Sequence, residues 1–554
     1  MDIKRSIFAA GLVVIFNQVQ ASEDAVNGKV STCPAIGVAE RTPHAPGLSY
    51  ATSGKFTLSE NGIALFDYGT NYNNLGKWAN PYFNSNFANA LYRDWLLTKC
   101  TDDSLKEKFL RVADWYVTTA EIKNGMALWT YPFHNQYFDL ESGWISGIGQ
   151  ARIAGVLYRA NAVHPKESYK KTADLAMESY THELTKGGVI TLDNGVTWIE
   201  EAPDPKGRSY KVLNGHITAL AGLVDIYDIT KDTRWKDLIQ QGEAAVARDL
   251  SQFDGGFISY YSLDWPSPTR RMAERGGYNS LHVDQLLWMY EYFQDPKYLK
   301  WAAHFQSYEM NSDKYTATYS VNAKTNGPER AKAIMFGASW TTNEFPTTFT
   351  ITPEKATRVK GIAIDALDHA RRPIDFTVIA YMKGREVARK EVSGNDKLWT
   401  DVLFKWPVLA DKIDVTFTKG DRITAITSIM AIRKDIELAP VTNQCNYRRK
   451  SGTNDIVYTV NSALSSDPGE SMPVRCDGWV FLPMEKGKPY LRATAHGAKG
   501  AEFTVLESWD MKKWKEVKRI PISSGEPVRI NAKYAMIEFK REAHEIREIS
   551  TAVK

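Results

Sequence analysis

Apolar residues recur at helical spacing through the middle of the chain, from about residue 81 to residue 312. Phe87, Leu91 and Trp95 fall at i, i+4 and i+8, the spacing of one helix face. A turn position returns after 63, 67 and 63 residues, and the four positions are Asp102, Pro165, Asp232 and Asp295. Four helix hairpins of similar length predict a closed helical (α/α) barrel over 81–312, with an open solenoid as the alternative.

The pattern changes to short alternating segments on either side of the helical part. Residues 22–80 contain turn-rich segments that predict a small N-terminal β region. Runs such as Phe376–Tyr381 and Ile413–Phe417 predict two C-terminal β-sandwich modules, over 313–435 and 436–554. The predicted fold class is therefore multidomain, α plus β, with the helical barrel between the β regions.

The first 21 residues have the composition of a secretory signal peptide. Lys4 and Arg5 precede the apolar stretch Ile7–Phe16, and Ala21 provides a small residue before the cleavage point. The apolar stretch is too short to span a bilayer. We therefore expect cleavage after residue 21 and a secreted or periplasmic protein with no membrane span; a retained single-helix anchor is the alternative.

The four cysteines agree with export to an oxidising compartment. They divide into Cys33 with Cys100 and Cys445 with Cys476, and we predict two disulfides in that pairing. No two cysteines have metal-ligand spacing, and no CxxC or HxxxH motif accompanies them, so we predict no metal site.

The overall charge does not identify the partner, but it argues against one class of partner, nucleic acid. The net charge is +4 and no polybasic run occurs, so nucleic acid is not an expected partner. An acidic polysaccharide remains compatible, because it requires only a local groove of basic side chains. Aromatic residues make up 12% of the chain, which suits sugar-stacking surfaces and also suits large β-sandwich cores.

Two adjacent carboxylates form the first candidate site. Glu200 and Glu201 stand between Trp198 and Pro203, ahead of a predicted helix that begins near Leu213. Neighbouring carboxylates in a cleft raise the pKa of one of them and make it a general acid or base near neutral pH. Two solvated loop charges are the alternative.

A set of tyrosines forms the second candidate site. Tyr260, Tyr261 and Tyr278 lie near three arginines in sequence, and these are Arg270, Arg271 and Arg275. Lowering a tyrosine pKa by three units requires about 4 kcal/mol of preferential stabilisation of the phenolate, and nearby arginines can supply part of it. Aromatic core or rim positions are the alternative.

An ordered series of short motifs resembles the C-terminal domain of the D-glucuronyl C5-epimerases. The motifs are Tyr131–Asp139, Gly143–Ala151, Glu200-Glu201 with Val212–Gly215, and Tyr278–His282 with Gln285–Leu287. The resemblance spans roughly residues 60 to 310 and leaves the β modules outside it. In the second module, Val505–Asp510 followed by Trp514–Val517 resembles discoidin-like and carbohydrate-binding jelly rolls, so a sugar-binding role and a structural role both stay open.

The epimerase resemblance implies a helical barrel that inverts C5 of glucuronic acid to iduronic acid within a heparosan-like acidic polysaccharide. It implies Glu201, Tyr261 and Tyr278 as catalytic residues, with Tyr260 as the alternative to Tyr261. Glu201 and Tyr278 would be the acid/base pair, on opposite faces of the sugar ring. It also implies a homodimer. Expected substrate-binding residues are Gln150, Trp144, Glu200, Asn214, His216, Tyr260, Arg275 and His282.

The chain departs from the family pattern at two positions. Ala202 stands where the family commonly has a tyrosine after the second glutamate, and Asp264 stands where an arginine usually follows the first catalytic tyrosine. Losing that arginine removes a partner for the substrate carboxylate. Arg275 or its neighbours would have to replace it, so the repeat unit and its sulfation stay open.

Three other functions remain alternatives. A lyase would form the same C5 carbanion but expel the C4 substituent, and an inverting hydrolase would use Glu200 or Glu201. A glycan-binding protein without catalysis would be favoured if Glu201 and the tyrosines did not share a cleft. No GxGxxG motif follows a predicted strand, so we expect no nicotinamide cofactor and predict none of any other kind.

Overall fold

The computed structural model describes most of the chain. The described residues are 33, 34, 36, 56–263, 277–310, 318–321, 340–353, 355–421, 423–434, 437–443, 472–473, 477–540, 543 and 545–553. The predicted signal peptide, Arg270, Arg271, Arg275 and the predicted Cys445–Cys476 pair lie outside these residues. No helix among them is long and apolar enough to cross a membrane.

A small antiparallel sheet precedes the helices. It has the strand order β1-β2-β3, and its strands are β1 (Phe56–Leu58), β2 (Ala64–Asp67) and β3 (Lys77–Trp78). The turn α1 (Asn71–Asn74), which contains residues with left-handed dihedrals, separates β2 from β3. These strands lie inside the predicted N-terminal β region. The predicted disulfide between Cys33 and Cys100 is present and ties the preceding segment to the helices.

Four helix hairpins follow within the described residues. They are α2 (Pro81–Leu97) with α3 (Asp103–Thr119), α4 (Gly147–Val163) with α5 (Glu167–Met177), α6 (Leu213–Thr230) with α7 (Thr233–Asp249), and α8 (Tyr278–Phe293) with α9 (Pro296–Met310). Each hairpin turn contains one of the four predicted turn residues. Asp102 and Asp232 act there as N-caps, accepting hydrogen bonds from the amides of Leu105 and Arg234.

The helices separate into an inner and an outer set. In α4 and α6 most positions are buried, whereas α3, α5 and α7 bury one stripe of side chains and leave most other positions partly or fully exposed. The inner helices α2, α4, α6 and α8 pack against one another in chain order, and each outer helix packs on its own partner. Such packing agrees with the predicted hairpin array; its closure into a barrel stays a prediction.

Three short β-hairpins connect the helix hairpins and carry the residues of interest. They are β4 (Glu121–Lys123) with β5 (Met126–Leu128), β6 (Thr130–Tyr131) with β7 (Trp144–Ile145), and β8 (Ile190–Asp193) with β9 (Val196–Ile199). Short 3₁₀ segments occur at Glu178–Thr181, Leu184–Lys186, Leu250–Phe253 and His369–Arg371.

The first C-terminal β module consists of two antiparallel sheets that share one apolar core. Its strands are β10 (Thr318–Val321), β11 (Trp340–Thr342), β12 (Thr347–Thr352), β13 (Thr357–Ala366), β14 (Pro373–Met382), β15 (Arg385–Val392), β16 (Trp399–Ala410), β17 (Lys412–Gly420) and β18 (Thr424–Arg433). The sheet orders are β10-β12-β17-β14-β15 and β11-β18-β13-β16. This arrangement agrees with a β-sandwich.

The second β module repeats this plan with its own core. Its strands are β19 (Val441–Thr442), β20 (Met472–Pro473), β21 (Gly478–Pro483), β22 (Tyr490–His496), β23 (Glu502–Ser508), β24 (Lys515–Pro521), β25 (Val528–Arg529), β26 (Tyr534–Phe539) and β27 (Glu545–Ala552). The sheet orders are β19-β21-β26-β23-β24 and β20-β27-β22-β25.

Both modules pack against the helical part. Trp399 and Ile432 of the first module, and Trp479 and Met511 of the second, belong to the same apolar cluster as the helices. Burial of these side chains removes apolar surface from water on both partners and favours a fixed arrangement.

Candidate active site

A cleft of about 560 Å³ lies at the N-terminal ends of the four inner helices. Its lining residues are Asn80, Tyr82, Phe83, Tyr131, Asn135, Phe138, Trp144, Ser146, Ile148, Glu201, Ala202, Asn214, Thr218, Gly277, Tyr278 and Leu281. Every inner helix contributes residues from its first turn or N-cap. Since a helix N-terminus carries a partial positive charge of about half a unit, the four ends together favour a bound anion.

Glu201 enters the cleft from the loop that follows β9, and the backbone around it is closely packed. Gly147, the first residue of α4, donates its amide to the carbonyl oxygen of Glu201 at 2.9 Å. A Cβ added to Gly215 in the first turn of α6 would lie 2.5 Å from both Cβ and Oε2 of Glu201. The glycine therefore provides the space that the Glu201 side chain occupies.

Glu201 accepts two long hydrogen bonds inside the cleft. The Tyr261 hydroxyl donates to Oε2 at 3.3 Å, and Nδ2 of Asn214 donates to the same oxygen at 3.4 Å. Burial raises the pKa of Glu201 to about 7, with a smaller contribution from the charge of Glu200, while the two donors oppose the rise. A carboxyl group with this pKa can both take and give a proton near neutral pH.

Glu200 points away from the cleft and anchors the neighbouring loop. Its carboxylate accepts hydrogen bonds from the Ser209 and Thr191 hydroxyls and from the amides of Tyr210 and Lys211. The side chain is fully buried, and burial raises its pKa to about 7 against these four donors. The structure therefore separates the two adjacent carboxylates: Glu201 lines the cleft and Glu200 holds the loop.

Tyr261 and Tyr278 lie together beside Glu201. Their ring centroids are 4.6 Å apart at an interplanar angle of 80°. Tyr261 is 8% exposed and Tyr278 is 40% exposed, so Tyr278 presents its ring to the open side of the cleft. Burial raises the pKa of Tyr261 well above its usual value, and the charge of Glu201 adds to this effect. Tyr261 therefore stays protonated and can act as a hydrogen-bond donor.

Tyr260 faces the opposite side of the chain. Its hydroxyl points to Oδ1 of Asp401 in the first β module at 3.5 Å, and its ring contacts Trp399 edge to face. Successive side chains of an extended segment point to opposite sides, so only one of the two tyrosines can reach Glu201. The structure assigns that contact to Tyr261.

A buried hydrogen-bond network connects the segments that carry the two cleft tyrosines. Oδ1 of Asn279, the residue after Tyr278, accepts hydrogen bonds from the amide and the hydroxyl of Ser259 at 3.0 and 2.8 Å. Nδ1 of His282 lies 2.8 Å from the same hydroxyl. His282 is fully buried, and burial lowers its pKa to about 3, so it is neutral. It supports the tyrosines from behind and does not line the cleft.

Two further predicted substrate-binding residues are buried within the fold. In His216, Nδ1 accepts from the Ile199 amide at 2.8 Å and Nε2 donates to the Gly242 carbonyl oxygen at 3.0 Å. Gln150 donates to the carbonyl oxygen of Ala127 at 2.9 Å. Both side chains are buried, and each forms hydrogen bonds with backbone groups that are distant in sequence.

Aromatic side chains form one wall of the cleft. Trp144, a predicted binding residue, stacks on Tyr131 with centroids 4.0 Å apart, and its Nε1 donates to the carbonyl oxygen of Phe133. The sequence did not single out the lining residues at the start of α2, which are Asn80, Tyr82 and Phe83, because they look like ordinary positions at a helix start. The Asn-Pro pair at the start of α2 was the available signal for a helix end there.

Glu201 is the one charged side chain among the described lining residues. Within the described part of the chain, no group of three His, Cys, Asp or Glu side chains is arranged to hold a metal ion. The described lining groups are therefore a titrating carboxyl, three phenols, amides and hydroxyls, and aromatic rings, and the Tyr261 hydroxyl contacts the carboxyl. This set can transfer protons and bind a sugar ring.

Solved structures similar to parts of the chain include carbohydrate-binding modules. The family 32 module of Clostridium perfringens NanJ, in complex with galactose, is 20% identical, covers 22% of this chain and 96% of its own, and has a TM-score of 0.19. A tandem pair from Clostridium perfringens ZmpB is 11% identical, covers 44% of this chain and 93% of its own, and has the same TM-score. Scores of this size establish neither a shared fold nor a shared ligand.

Curated relatives match the helical part over limited lengths. A D-glucuronyl C5-epimerase of Caenorhabditis elegans is 29% identical over 198 residues, which is 33% of this chain and 31% of that protein. An uncharacterized protein of Methanocaldococcus jannaschii is 28% identical over 202 residues, or 36% of this chain and 63% of that protein. The matched stretches thus cover less than two thirds of either relative.

The family model for the D-glucuronyl C5-epimerase C-terminus matches residues 123–307. This range contains the Glu201 loop, Tyr261, Tyr278 and the inner helices α4, α6 and α8. The resemblance to the C-terminal domain of the D-glucuronyl C5-epimerases, predicted from the short motifs, is confirmed over this range.

Proposed function

We propose that the protein is a uronosyl C5-epimerase that converts D-glucuronic acid to L-iduronic acid within a heparosan-like polysaccharide. One observation carries the proposal: Glu201 and Tyr278, which lie far apart in sequence, line a single cleft, and Tyr261 contacts both of them. The match of residues 123–307 to the epimerase family supports the same reaction class.

The proposed reaction begins with removal of the C5 proton by one of two groups, Glu201 or Tyr278. The electron pair of the broken C–H bond moves into the adjacent carboxylate to form an enediolate. The other group then delivers a proton to C5 from the opposite face, so one proton leaves and one returns. A carboxyl with a pKa of about 7 suits Glu201 to either direction.

Tyr261 has two roles in this proposal. Its hydroxyl contacts Glu201, and its ring contacts Tyr278. After each turnover one of these groups holds an extra proton and the other lacks one. Tyr261 can accept a proton from one and donate its own to the other, which restores the starting state.

The charge that develops on the substrate carboxylate also requires stabilisation. The N-termini of α2, α4, α6 and α8 surround the cleft and supply fixed dipoles of the right sign. Nδ2 of Asn214 adds a side-chain donor next to Glu201. The predicted contribution of Arg275 lies outside the described residues and stays a prediction.

A glycoside hydrolase is less well supported by the same geometry. Both hydrolytic mechanisms require two carboxyl groups that flank the scissile bond, roughly 5 to 9.5 Å apart. Among the described lining residues Glu201 is the one carboxylate, and Glu200 is bound by four donors outside the cleft. The lyase shares the C5 carbanion with the epimerase, and its products separate the two.

Export of the protein is part of the proposal. The Cys33–Cys100 disulfide supports an oxidising compartment, where an extracellular polysaccharide is accessible. A secreted or periplasmic location agrees with this bond.

The deciding experiment is incubation of the purified protein with heparosan in deuterated water, followed by proton NMR and sizing of the polymer. The proposal expects loss of the C5 proton signal, formation of iduronate and unchanged chain length. Ultraviolet absorbance from an unsaturated uronate would identify a lyase instead, and new reducing ends without it a hydrolase. Absence of exchange on a panel of uronate polymers would contradict the epimerase.

A further inference from the structure

A patch of exposed apolar and cationic side chains lies on the first β module, outside the cleft. Trp406 is 69% exposed, and Leu403 and Leu409 of the same strand are 42% and 49% exposed. By contrast Val402 and Phe404 are buried in the module core. Since side chains alternate along a strand, β16 uses one face for folding and presents an apolar second face to solvent.

The position of Trp406 is set by a bulge at the edge of the sheet. Strand β16 is the last strand of its sheet. In β13, Val359 pairs with Val408 and Gly361 pairs with Leu403, so that Lys360 alone lies opposite the four residues 404–407. These four residues form an irregular insertion in the strand pairing. Bulges of this kind re-aim a side chain and are retained for that purpose. Here the insertion projects Trp406 away from the module core.

Three cationic residues lie near this tryptophan in the paired strands β13 and β16. Lys405 Nζ lies 6.0 Å from the centroid of the Trp406 ring. Arg358 is directly opposite Leu409 in β13, and Lys360 lies beside the bulge; all three cations are exposed. Among the described residues none of the three pairs with a carboxylate, and residues 357–361 and 402–410 contain no Asp or Glu. The patch therefore presents an aromatic ring within an uncompensated positive field.

We propose that this edge patch binds a second stretch of the anionic polysaccharide whose uronate unit enters the cleft; this inference rests on the proposed function. The apolar face of a sugar ring would stack on Trp406 while Arg358, Lys360 and Lys405 neutralise carboxylates along the chain. Asp401, which contacts Tyr260 next to Tyr261, is in the same strand as Trp406.

The test measures binding and turnover separately in the full chain. Affinity for immobilised heparosan is compared for the wild type, Trp406→Ala and the double variant Lys360→Glu/Lys405→Glu. Trp509→Ala is the matched control, because Trp509 is 65% exposed on the second module but is followed by the acidic Asp510. Turnover is measured as C5 exchange on a short oligosaccharide that fills only the cleft.

We expect Trp406→Ala and the double variant to weaken polymer binding about tenfold or more, and Trp406→Tyr to retain most of it. Trp509→Ala should bind as the wild type, and oligosaccharide exchange should be unchanged in all four variants. Unchanged affinity in Trp406→Ala, or an equal loss in Trp509→Ala, would overturn the patch. If the protein bound duplex DNA as tightly as heparosan, the assignment of the polysaccharide as the ligand of the patch would be wrong. If the proposed function is wrong, the wild type shows no C5 exchange, whereas if the patch is wrong, only the binding results change. The two failures are therefore distinguishable.

Discussion

At the scale of single residues, Glu201 combines its proposed role in proton transfer with a cost in stability. Burial raises its pKa from 4.5 to about 7, so the folded state binds a proton more tightly than the unfolded chain. Ionisation of Glu201 therefore lowers the free energy of unfolding. This decrease is absent below pH 4.5, grows as the pH rises, and is complete above pH 7 at about 3 kcal/mol. Active-site groups commonly carry such costs.

Replacing Glu201 with Gln should therefore abolish C5 exchange and raise the melting temperature above pH 7. The gain should vanish as the pH falls toward 4.5, because the native carboxyl is then protonated as well. Calorimetry at pH 5 and pH 8 measures the two stabilities, and NMR measures exchange. A variant that remains active would remove Glu201 from the acid/base pair.

The adjacent tyrosines offer a matched pair of substitutions. Tyr261→Phe removes the hydroxyl that contacts Glu201 and should lower the exchange rate at least a hundredfold. Tyr260→Phe removes only a long contact to Asp401 and should leave the rate within about twofold. Equal losses in both variants would contradict the assignment of Tyr261 as the catalytic residue of the pair.

The sequence predicts which residue types form the site better than it predicts their directions. Glu201, Tyr261 and Tyr278 were recognisable from local motifs. The choice between Tyr260 and Tyr261 depends on which side of an extended segment faces α6. The sequence there has no alternation of apolar and polar residues that would indicate the side. The burial of His216 was also not visible in the sequence, because its partners, Ile199 and Gly242, are backbone groups that only the fold brings together.

At the scale of elements, the first turn of α6 controls the position of Glu201. Gly215→Ala should lower exchange about a hundredfold, because the added methyl group would occupy the space of the Glu201 side chain. Gly149→Ala in the first turn of α4 is the control: its Cβ would meet nothing closer than 3.5 Å, and alanine favours the helix. Substantial activity in Gly215→Ala would show that Glu201 can move without loss.

The network behind the tyrosines predicts a second effect at this scale. Asn279→Ala removes the acceptor that joins Ser259 to the start of α8, so the catalytic rate should fall about tenfold or more while KM changes little. Ser280→Ala is the matched control, since this neighbouring buried hydroxyl has no hydrogen-bond partner among the described residues. Steady-state kinetics of both variants measure the effects on the catalytic rate and on KM separately. A change confined to KM would contradict the positioning role.

The helix hairpins were predictable because their turn residues recur at a nearly constant interval. The inner and outer roles follow from composition, since α6 reads Leu-Asn-Gly-His-Ile-Thr-Ala-Leu with no charged residue until Asp225, whereas α7 alternates charges with apolar positions. Convergence of four helix N-termini on one cleft does not follow from any single helix. It arises because consecutive hairpins pack side by side in the same orientation.

At the scale of the whole molecule, the β modules contact the helices that carry the site. His304 of α9 contacts the carbonyl oxygen of Glu437 through Nδ1, and the Tyr290 hydroxyl of α8 accepts a hydrogen bond from Nε1 of Trp514 at 3.1 Å. Tyr278 begins the same helix α8. The second module therefore contacts the helix that begins at Tyr278, the exposed tyrosine of the proposed site, and we expect its loss to change the position of Tyr278.

Trp514 provides the sharpest test of this connection. It packs against the apolar cluster of the helices, so Trp514→Ala should lower the first melting temperature of the protein, at a cost of about 3 kcal/mol, and should reduce C5 exchange. Trp509→Ala removes the same side chain from the same turn, where it is largely exposed, and should change neither quantity. Differential scanning calorimetry also reports whether module and helices unfold together, which their common apolar cluster predicts. Unchanged melting in Trp514→Ala would mean that the second module contributes nothing to the stability of α8, and the positioning of Tyr278 would then rest on the helical hairpins alone.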